Sequence, residues 1–157
     1  MNQNLTNTAV ISRPVRWLYL TTTFFLVLTG FGQMPIFKRY YIADIPGLGW
    51  LAEFFVTHYI HYLGAVVLLV VVAYILTDYV MLKRTSRRMT ASGYIRIALL
   101  AGILFSGALL VIRNLPGAVL APEFIMLLDV THLGLVMVFL FVSLYCLIFK
   151  KHWTTER

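Results

Sequence analysis

The sequence contains a single cysteine, Cys146, and few charged residues. One thiol excludes an internal disulfide and every cysteine-based zinc or iron–sulfur motif. Charged residues make up only 12% of the chain and hydrophobic residues 61%, whereas soluble domains contain about 25% charged residues. The composition therefore excludes an ordinary soluble domain and indicates a membrane protein. The net charge of +7 does not indicate nucleic-acid binding, because no basic stripe interleaves with aromatic residues in a soluble module.

Four hydrophobic segments are long enough to span a bilayer, which requires about 20 apolar residues. They cover approximately residues 17–36, 51–81, 94–112 and 123–149. Residues 37–50 and 114–122 contain proline and glycine and are predicted to be turns. The sequence thus predicts an all-α, integral membrane four-helix bundle that forms one domain over residues 1–157.

The basic residues are distributed unequally between the two ends of these segments. Cytoplasmic ends of membrane helices carry an excess of Lys and Arg, so the richer side is predicted to be cytoplasmic and to hold both termini. Ten basic residues lie on that side: Arg13, Arg16, Lys83, Arg84, Arg87, Arg88, Arg96, Lys150, Lys151 and Arg157. Three lie on the other side: Lys38, Arg39 and Arg113.

Two histidines, His61 and His132, lie inside the second and fourth segments, which both enter from the outer side. Each is roughly 13–15 Å from the start of its segment at 1.5 Å per residue, so both are predicted at one depth. Ionisable side chains inside a membrane are costly and usually functional. Two neutral imidazoles at one depth suit the two axial positions of a haem iron. We therefore expect His61 and His132 to be the iron ligands of one haem b.

Four glycines lie at a similar level and are candidates for lining the cofactor: Gly30, Gly64, Gly107 and Gly134. A porphyrin needs flat space between helices, and glycine has no side chain to fill that space. Glycine is also common in membrane helices because it permits close helix packing. Both interpretations are open for each of the four.

A third histidine, His58, lies on the same face of its helix as His61, one turn nearer the outer surface. One helix cannot present both residues to the same iron. His58 could bind a haem propionate, border a quinone site, contact a partner subunit, or lie at the interface without a special task. We assign no chemistry to His152, which follows two lysines near the cytoplasmic side.

Five short motifs occur in an order that resembles a known family. They are Arg-x-x-x-Trp from Arg13, Leu-Thr-Gly-Phe from Leu28, His-x-x-Gly from His61, Ser-Gly at Ser106, and the histidine at position 132. The chain resembles the four-helix b-type cytochrome (gamma) subunit of membrane-bound formate dehydrogenases and nickel–iron hydrogenases. The resemblance covers most of the chain.

The resemblance implies an electron-transfer role in a bacterial cytoplasmic (inner) membrane. In that family the subunit carries electrons between an iron–sulfur partner subunit outside the membrane and a quinone within it. A separate catalytic subunit, of formate dehydrogenase or hydrogenase type, performs the enzymatic reaction. The chain itself carries no substrate-pocket motif, so we expect a non-catalytic subunit that contacts lipid, quinone and these partners.

The resemblance fails at the ligands of a second, inner haem that the family usually binds. The corresponding positions are Arg16 and Cys146. Arginine stays protonated and cannot serve as a normal ligand, and Cys146 is better explained as a small buried hydrophobe. We therefore expect one haem. Quinone could bind near that haem or enter the inner space beside Arg16, Asp78 and Tyr145, although Arg16 also suits an interfacial anchor and Asp78 a helix cap.

Two other classes of function remain open at this point. The chain could be a haem-free membrane anchor of a redox complex, or a component of a transporter or sensor. The transporter interpretation is weak, because no helix is interrupted in mid-span and no acidic residue lies in mid-membrane. The anchor interpretation does not explain two histidines at equal depth.

Overall fold

The computed structural model describes residues 11–34 and 44–157 and divides the chain after Met81 into two compact units. Within the described residues, four helices are long and apolar enough to cross a membrane. This confirms the predicted helical class and multi-pass character, whereas the cytoplasmic location of the termini and the single four-helix domain remain predictions. The helices are α1, Arg13–Gly32; α2, Phe54–Asp78; α3, Ala91–Arg113; and α4, Pro122–Ile148.

The first unit is a hairpin in which α1 packs against α2. Pro14 lies in the first turn of α1, where its missing N–H has no helical partner to lose, and the helix therefore begins before the predicted start at position 17. A 3₁₀ turn, Gly49–Ala52, precedes α2 and buries Leu51 against α1. A Cβ at Gly32 would lie 3.2 Å from Leu51 Cδ2. Residue 51 therefore belongs to this turn and not to the second span.

The connection between α1 and α2 is only partly described. The predicted end of the first span at position 36, and the basic residues Lys38 and Arg39, lie outside the described residues. After α2, the chain continues through one π-helical turn, Tyr79–Lys83. The continuous helical segment Phe54–Lys83 has 30 residues, more than the roughly 20 that a bilayer span requires.

The second unit is a hairpin of α3 and α4. Thr90 is the N-cap of α3, and its side chain accepts a hydrogen bond from the Gly93 amide at 3.0 Å. At the opposite end, Arg113 of α3 forms an ion pair with Asp129 of α4 at 3.1 Å. Because the Asp129 side chain is 53% exposed, this pair adds at most about 1 kcal/mol in water.

A short antiparallel strand pair, not predicted from the sequence, joins the two ends of the second unit. Strand β1, Arg87–Met89, pairs with β2, Thr154–Glu156, and Arg88 lies opposite Thr155. The hydroxyl of Thr90 also donates to the carbonyl of His152 at 2.7 Å. The carboxyl-terminal segment is thereby fixed against the start of α3.

Arg96 completes this connection and is not an exposed charge. It is only 5% exposed, and its guanidinium donates to the Lys151 carbonyl at 3.2 Å and to the Ser92 carbonyl at 3.0 Å. The same group lies 4.1 Å above the Trp153 ring. Arg96 therefore connects α3 to the carboxyl-terminal segment, a structural role that composition does not reveal.

Polar and apolar residues are distributed as expected for helices surrounded by lipid. Buried side chains include Thr29, Thr57 and Ser106, each with its hydroxyl bonded to a backbone carbonyl of its own helix. Large apolar side chains are exposed along all four helices. Small and hydroxyl residues at helix contacts are typical of membrane helices, whose association does not depend on a hydrophobic driving force.

Candidate functional site

His61 of α2 is held by a threonine of α1. Its Nδ1 lies 3.0 Å from Thr29 Oγ1, and Thr29 is completely buried. The two residues are 32 positions apart, so the packing of the two helices brings them together. His61 is half-buried and lies about two turns, or roughly 10 Å, from the start of α2.

The second unit repeats this arrangement with other residues. Nδ1 of His132 in α4 lies 2.9 Å from the hydroxyl oxygen of Ser106 in α3. Ser106 is 3% exposed and His132 is half-buried. His132 lies about three turns, or roughly 15 Å, from the start of α4. Each hairpin therefore presents one imidazole that is oriented by a hydroxyl on the preceding helix.

The hydroxyl hydrogen bonds offer a way to select the tautomer of both rings. Thr29 Oγ1 lies 2.7 Å from the Phe25 carbonyl and Ser106 Oγ lies 2.8 Å from the Gly102 carbonyl, and both carbonyls can only accept. When each hydroxyl donates its single proton to this carbonyl, its oxygen accepts from the histidine, and Nδ1 then carries the ring proton. A neutral imidazole of this tautomer has its lone pair on Nε2, the atom suited to bind a metal.

Glycines follow both hydroxyl residues directly, and both lie against the imidazoles. A Cβ built on Gly30 would be 3.4 Å from His61 Cε1, and one on Gly107 would be 3.2 Å from His132 Cε1. The absence of a side chain thus allows each ring to lie close to the neighbouring helix backbone. These two of the four candidate glycines contact the predicted ligands.

The other two candidate glycines differ from this pattern. A Cβ on Gly64 would lie 3.1 Å from Leu26 Cδ2, which is the helix-packing contact of the alternative interpretation. Gly134 is exposed, and a Cβ there would meet nothing within 4 Å. Neither glycine contacts a histidine ring, and their predicted role in lining a cofactor remains untested.

His58 also faces α1, one turn from His61. Its Nδ1 lies 3.0 Å from Gln33 Oε1, and the Gln33 amide nitrogen donates to the Thr29 carbonyl at 3.4 Å. The ring stacks on Phe54 with centroids 5.1 Å apart, and the Tyr62 ring centroid lies 4.3 Å away. His58 is thus held by an amide and two aromatic rings.

The residues expected near an inner site lie in different units. Arg16 is exposed on α1, and Asp78 is the last residue of α2. Tyr145 is exposed and packs against Phe149, with ring centroids 4.5 Å apart. Cys146 is a free thiol, 4% exposed, as expected of a small buried hydrophobe.

The hydroxyl partners were not predicted from the sequence. Thr29 and Ser106 each precede a candidate glycine and lie within the short motifs that carry the resemblance, but those motifs gave the hydroxyl groups no role. A hydroxyl residue directly before a glycine, in the helix that precedes a histidine-bearing helix, is the sequence pattern that could have identified them. In the described ranges, 11–34 and 44–157, no group of three or more His, Cys, Asp or Glu side chains could hold a metal ion.

Comparison with known proteins gives no match: no family model, curated protein or solved structure matches the chain.

Proposed function

We propose that the chain is a membrane cytochrome b subunit of a respiratory oxidoreductase complex. In this proposal His61 and His132 hold one haem b, and the subunit passes electrons between an iron–sulfur partner and the quinone pool. The observation that carries the proposal is the repeated histidine–hydroxyl pair. Two hairpins with different sequences each place a hydroxyl at hydrogen-bond distance from Nδ1 of one imidazole, and a ring that donates through Nδ1 has its lone pair on Nε2.

The chemistry of these donors fits a bis-histidine haem. Iron-ligating imidazoles must be neutral and bind through a ring nitrogen that carries no proton. Metal-bound histidines almost always donate their other ring N–H to an oxygen, which fixes the ring orientation. Thr29 and Ser106 supply that oxygen at 3.0 and 2.9 Å. A haem held in this way supplies reversible one-electron chemistry.

The surroundings of both histidines also support the proposal. Gly30 and Gly107 keep the ring edges beside Cε1 clear of side-chain atoms. The helices that carry both histidines are apolar and long enough to span a membrane. The proposal requires the two hairpins to present His61 and His132 to the same iron.

A single haem is proposed because the inner-ligand positions carry unsuitable residues. Arg16 stays protonated, and Cys146 is a buried free thiol that is better explained as a small hydrophobe. The proposed partners are an iron–sulfur subunit and a catalytic subunit of formate dehydrogenase or hydrogenase type, in a bacterial inner membrane with both termini cytoplasmic. Their identity rests on the resemblance of the short motifs.

The test is a pyridine haemochrome assay on the purified full chain, with the haem-to-polypeptide ratio measured. The expected ratio is close to one in the wild type and close to zero in His61→Ala and in His132→Ala. His152→Ala is the matched control, because this exposed histidine should leave the ratio unchanged. His58→Ala should also retain haem, since its ring is held by Gln33.

Other results would contradict specific parts of the proposal. Loss of haem in His58→Ala, together with retention in His61→Ala, would show that the ligand from α2 is His58 and not His61. A ratio close to two would show that an inner haem is bound by unexpected residues. A wild-type protein without haem would refute the cytochrome proposal and favour the haem-free anchor.

A further inference from the structure

We propose that Thr29 and Ser106 are positioning residues that set the tautomer of His61 and His132 and raise the basicity of Nε2 in both rings. This inference rests on the proposed function for its consequence at the iron. Its structural basis is that two separate hairpins place a buried hydroxyl at hydrogen-bond distance from Nδ1 of a histidine.

In this proposal each hydroxyl acts as the acceptor toward its histidine. The proton of Thr29 Oγ1 is directed to the carbonyl of Phe25 at 2.7 Å, and Leu26 offers a second carbonyl at 3.3 Å. Ser106 Oγ likewise has two carbonyl partners on its own helix, that of Gly102 at 2.8 Å and that of Ile103 at 3.1 Å. The backbone therefore fixes the direction of the hydroxyl, and the hydroxyl in turn fixes the protonated nitrogen of the ring.

Burial makes this preference strong. Thr29 is 0% exposed and Ser106 is 3% exposed, so water does not reach these hydroxyl groups to compete for the Nδ1 proton. A buried donor that loses its acceptor is costly because nothing replaces the bond. A ring without the hydroxyl is thus expected to rotate or to move its proton to Nε2, which removes the lone pair needed at the metal.

The basicity of the ligand follows from the same bond. Donation from Nδ1–H to an oxygen places more electron density on Nε2. Hydrogen-bond partners of metal-ligating histidines thereby raise the basicity of the ligand. A more basic imidazole stabilises the higher oxidation state of iron. Removal of either hydroxyl is therefore expected to weaken haem binding about 10- to 100-fold and to shift the midpoint potential upward.

The test compares hydroxyl-deleting and hydroxyl-retaining variants at both positions. Thr29→Val and Ser106→Ala remove the acceptor, and Thr29→Ser and Ser106→Thr retain it. Two readouts are measured on the full chain in nanodiscs. One is the pair of ring-nitrogen chemical shifts of ¹⁵N-labelled histidine before haem is added, which reports the tautomer. The other is the haem dissociation constant, with the midpoint potential of the reconstituted protein.

Two control variants separate positioning from general stability. Thr57 is also 0% exposed, but its hydroxyl bonds only to carbonyls of its own chain segment, at 3.2 and 3.0 Å. The buried Ser143 hydroxyl has no hydrogen-bond partner among the described residues. Thr57→Val and Ser143→Ala should therefore retain the wild-type nitrogen shifts, haem affinity and potential.

The inference is supported if the deleting variants change the nitrogen shifts of the paired histidine and lose haem affinity, while the retaining variants restore both. Wild-type tautomers and wild-type affinity in Thr29→Val and Ser106→Ala would overturn it. Equal losses in Thr57→Val or Ser143→Ala would also overturn it, because the effect would then be one of stability. If the wild type binds no haem, the proposed function fails, and the nitrogen shifts still decide whether the hydroxyls set the tautomers.

Discussion

Substitution of Gly107 with alanine tests how closely the backbone of α3 must approach the imidazole of His132. The added methyl group would lie 3.2 Å from His132 Cε1 and 3.7 Å from Nδ1. The first distance is tighter than ordinary van der Waals contact, so the ring must shift by a few tenths of an ångström. That shift acts directly on the 2.9 Å hydrogen bond to Ser106.

Two effects of similar size act on the stability of this variant. Alanine is favoured over glycine in a helix interior by about 1 kcal/mol, and mild overpacking costs about 1 kcal/mol at the lower end of its range. The free energy of unfolding is therefore expected to stay within about 1 kcal/mol of the wild type. Haem affinity is expected to fall about tenfold. This is the lower end of the range for changes to a hydrogen-bond partner of a metal-ligating histidine, because the bond between Ser106 and His132 is disturbed but not removed.

The other candidate glycines supply a graded series. Gly134→Ala meets nothing within 4 Å, and Gly30→Ala makes only an ordinary contact with His61 at 3.4 Å. We expect Gly134→Ala to retain full haem affinity and to gain up to about 1 kcal/mol of stability, and Gly30→Ala to lose less affinity than Gly107→Ala. Gly64→Ala would press on the flexible end of Leu26 and should change helix packing rather than the ligands.

Haem titration of haem-depleted protein, followed by absorbance, measures the affinity of each variant. Thermal unfolding followed by circular dichroism measures its stability. The reasoning would be refuted if Gly107→Ala bound haem as tightly as the wild type, or if Gly134→Ala lost affinity to the same extent. The first result would show that the ring tolerates the methyl group, and the second that helix substitution alone causes the loss.

Two further predictions concern the second unit. Gly93→Ala would place a methyl group against the Trp153 carbonyl oxygen and 2.8 Å from Met89 Sδ, so the strand pair should separate and the carboxyl-terminal segment should become sensitive to limited proteolysis; wild-type resistance would contradict this. Lys150→Gly should raise the unfolding free energy by about 1 kcal/mol, because Lys150 has φ of 51° at a helix end where glycine is favoured. Thermal unfolding measures this gain, and Lys151→Gly, at a position without positive φ, should show none.

The sequence was sufficient to predict the four spans, because each depends on local composition. A run of about 20 apolar residues is recognisable without knowledge of its neighbours, and the helices α1 to α4 occupy the predicted segments. The ends were predicted less well. Pro14 and the turn around Leu51 set the starts of α1 and α2 through local geometry and packing that hydropathy does not record.

The strand pair was not predictable from hydropathy. Its strands have three residues each, and they are separated by two complete helices in the chain. The connection depends on Arg96, whose guanidinium reaches the Lys151 carbonyl and the Trp153 ring. By composition, Arg96 is one more basic residue near a helix end, and only the packed structure makes it a buried hydrogen-bond donor.

The sequence alone determined that His61 and His132 are polar residues within apolar helices, because that property depends only on their immediate neighbours in the chain. The tertiary structure decided which atom of each ring is bonded and which residue bonds it. Thr29 and Ser106 are 32 and 26 positions from their histidines, and hydroxyl residues occur at many other positions of the same helices. The register of one helix against the next selects these two, and that register is set by side-chain packing along the whole hairpin, which no local pattern records.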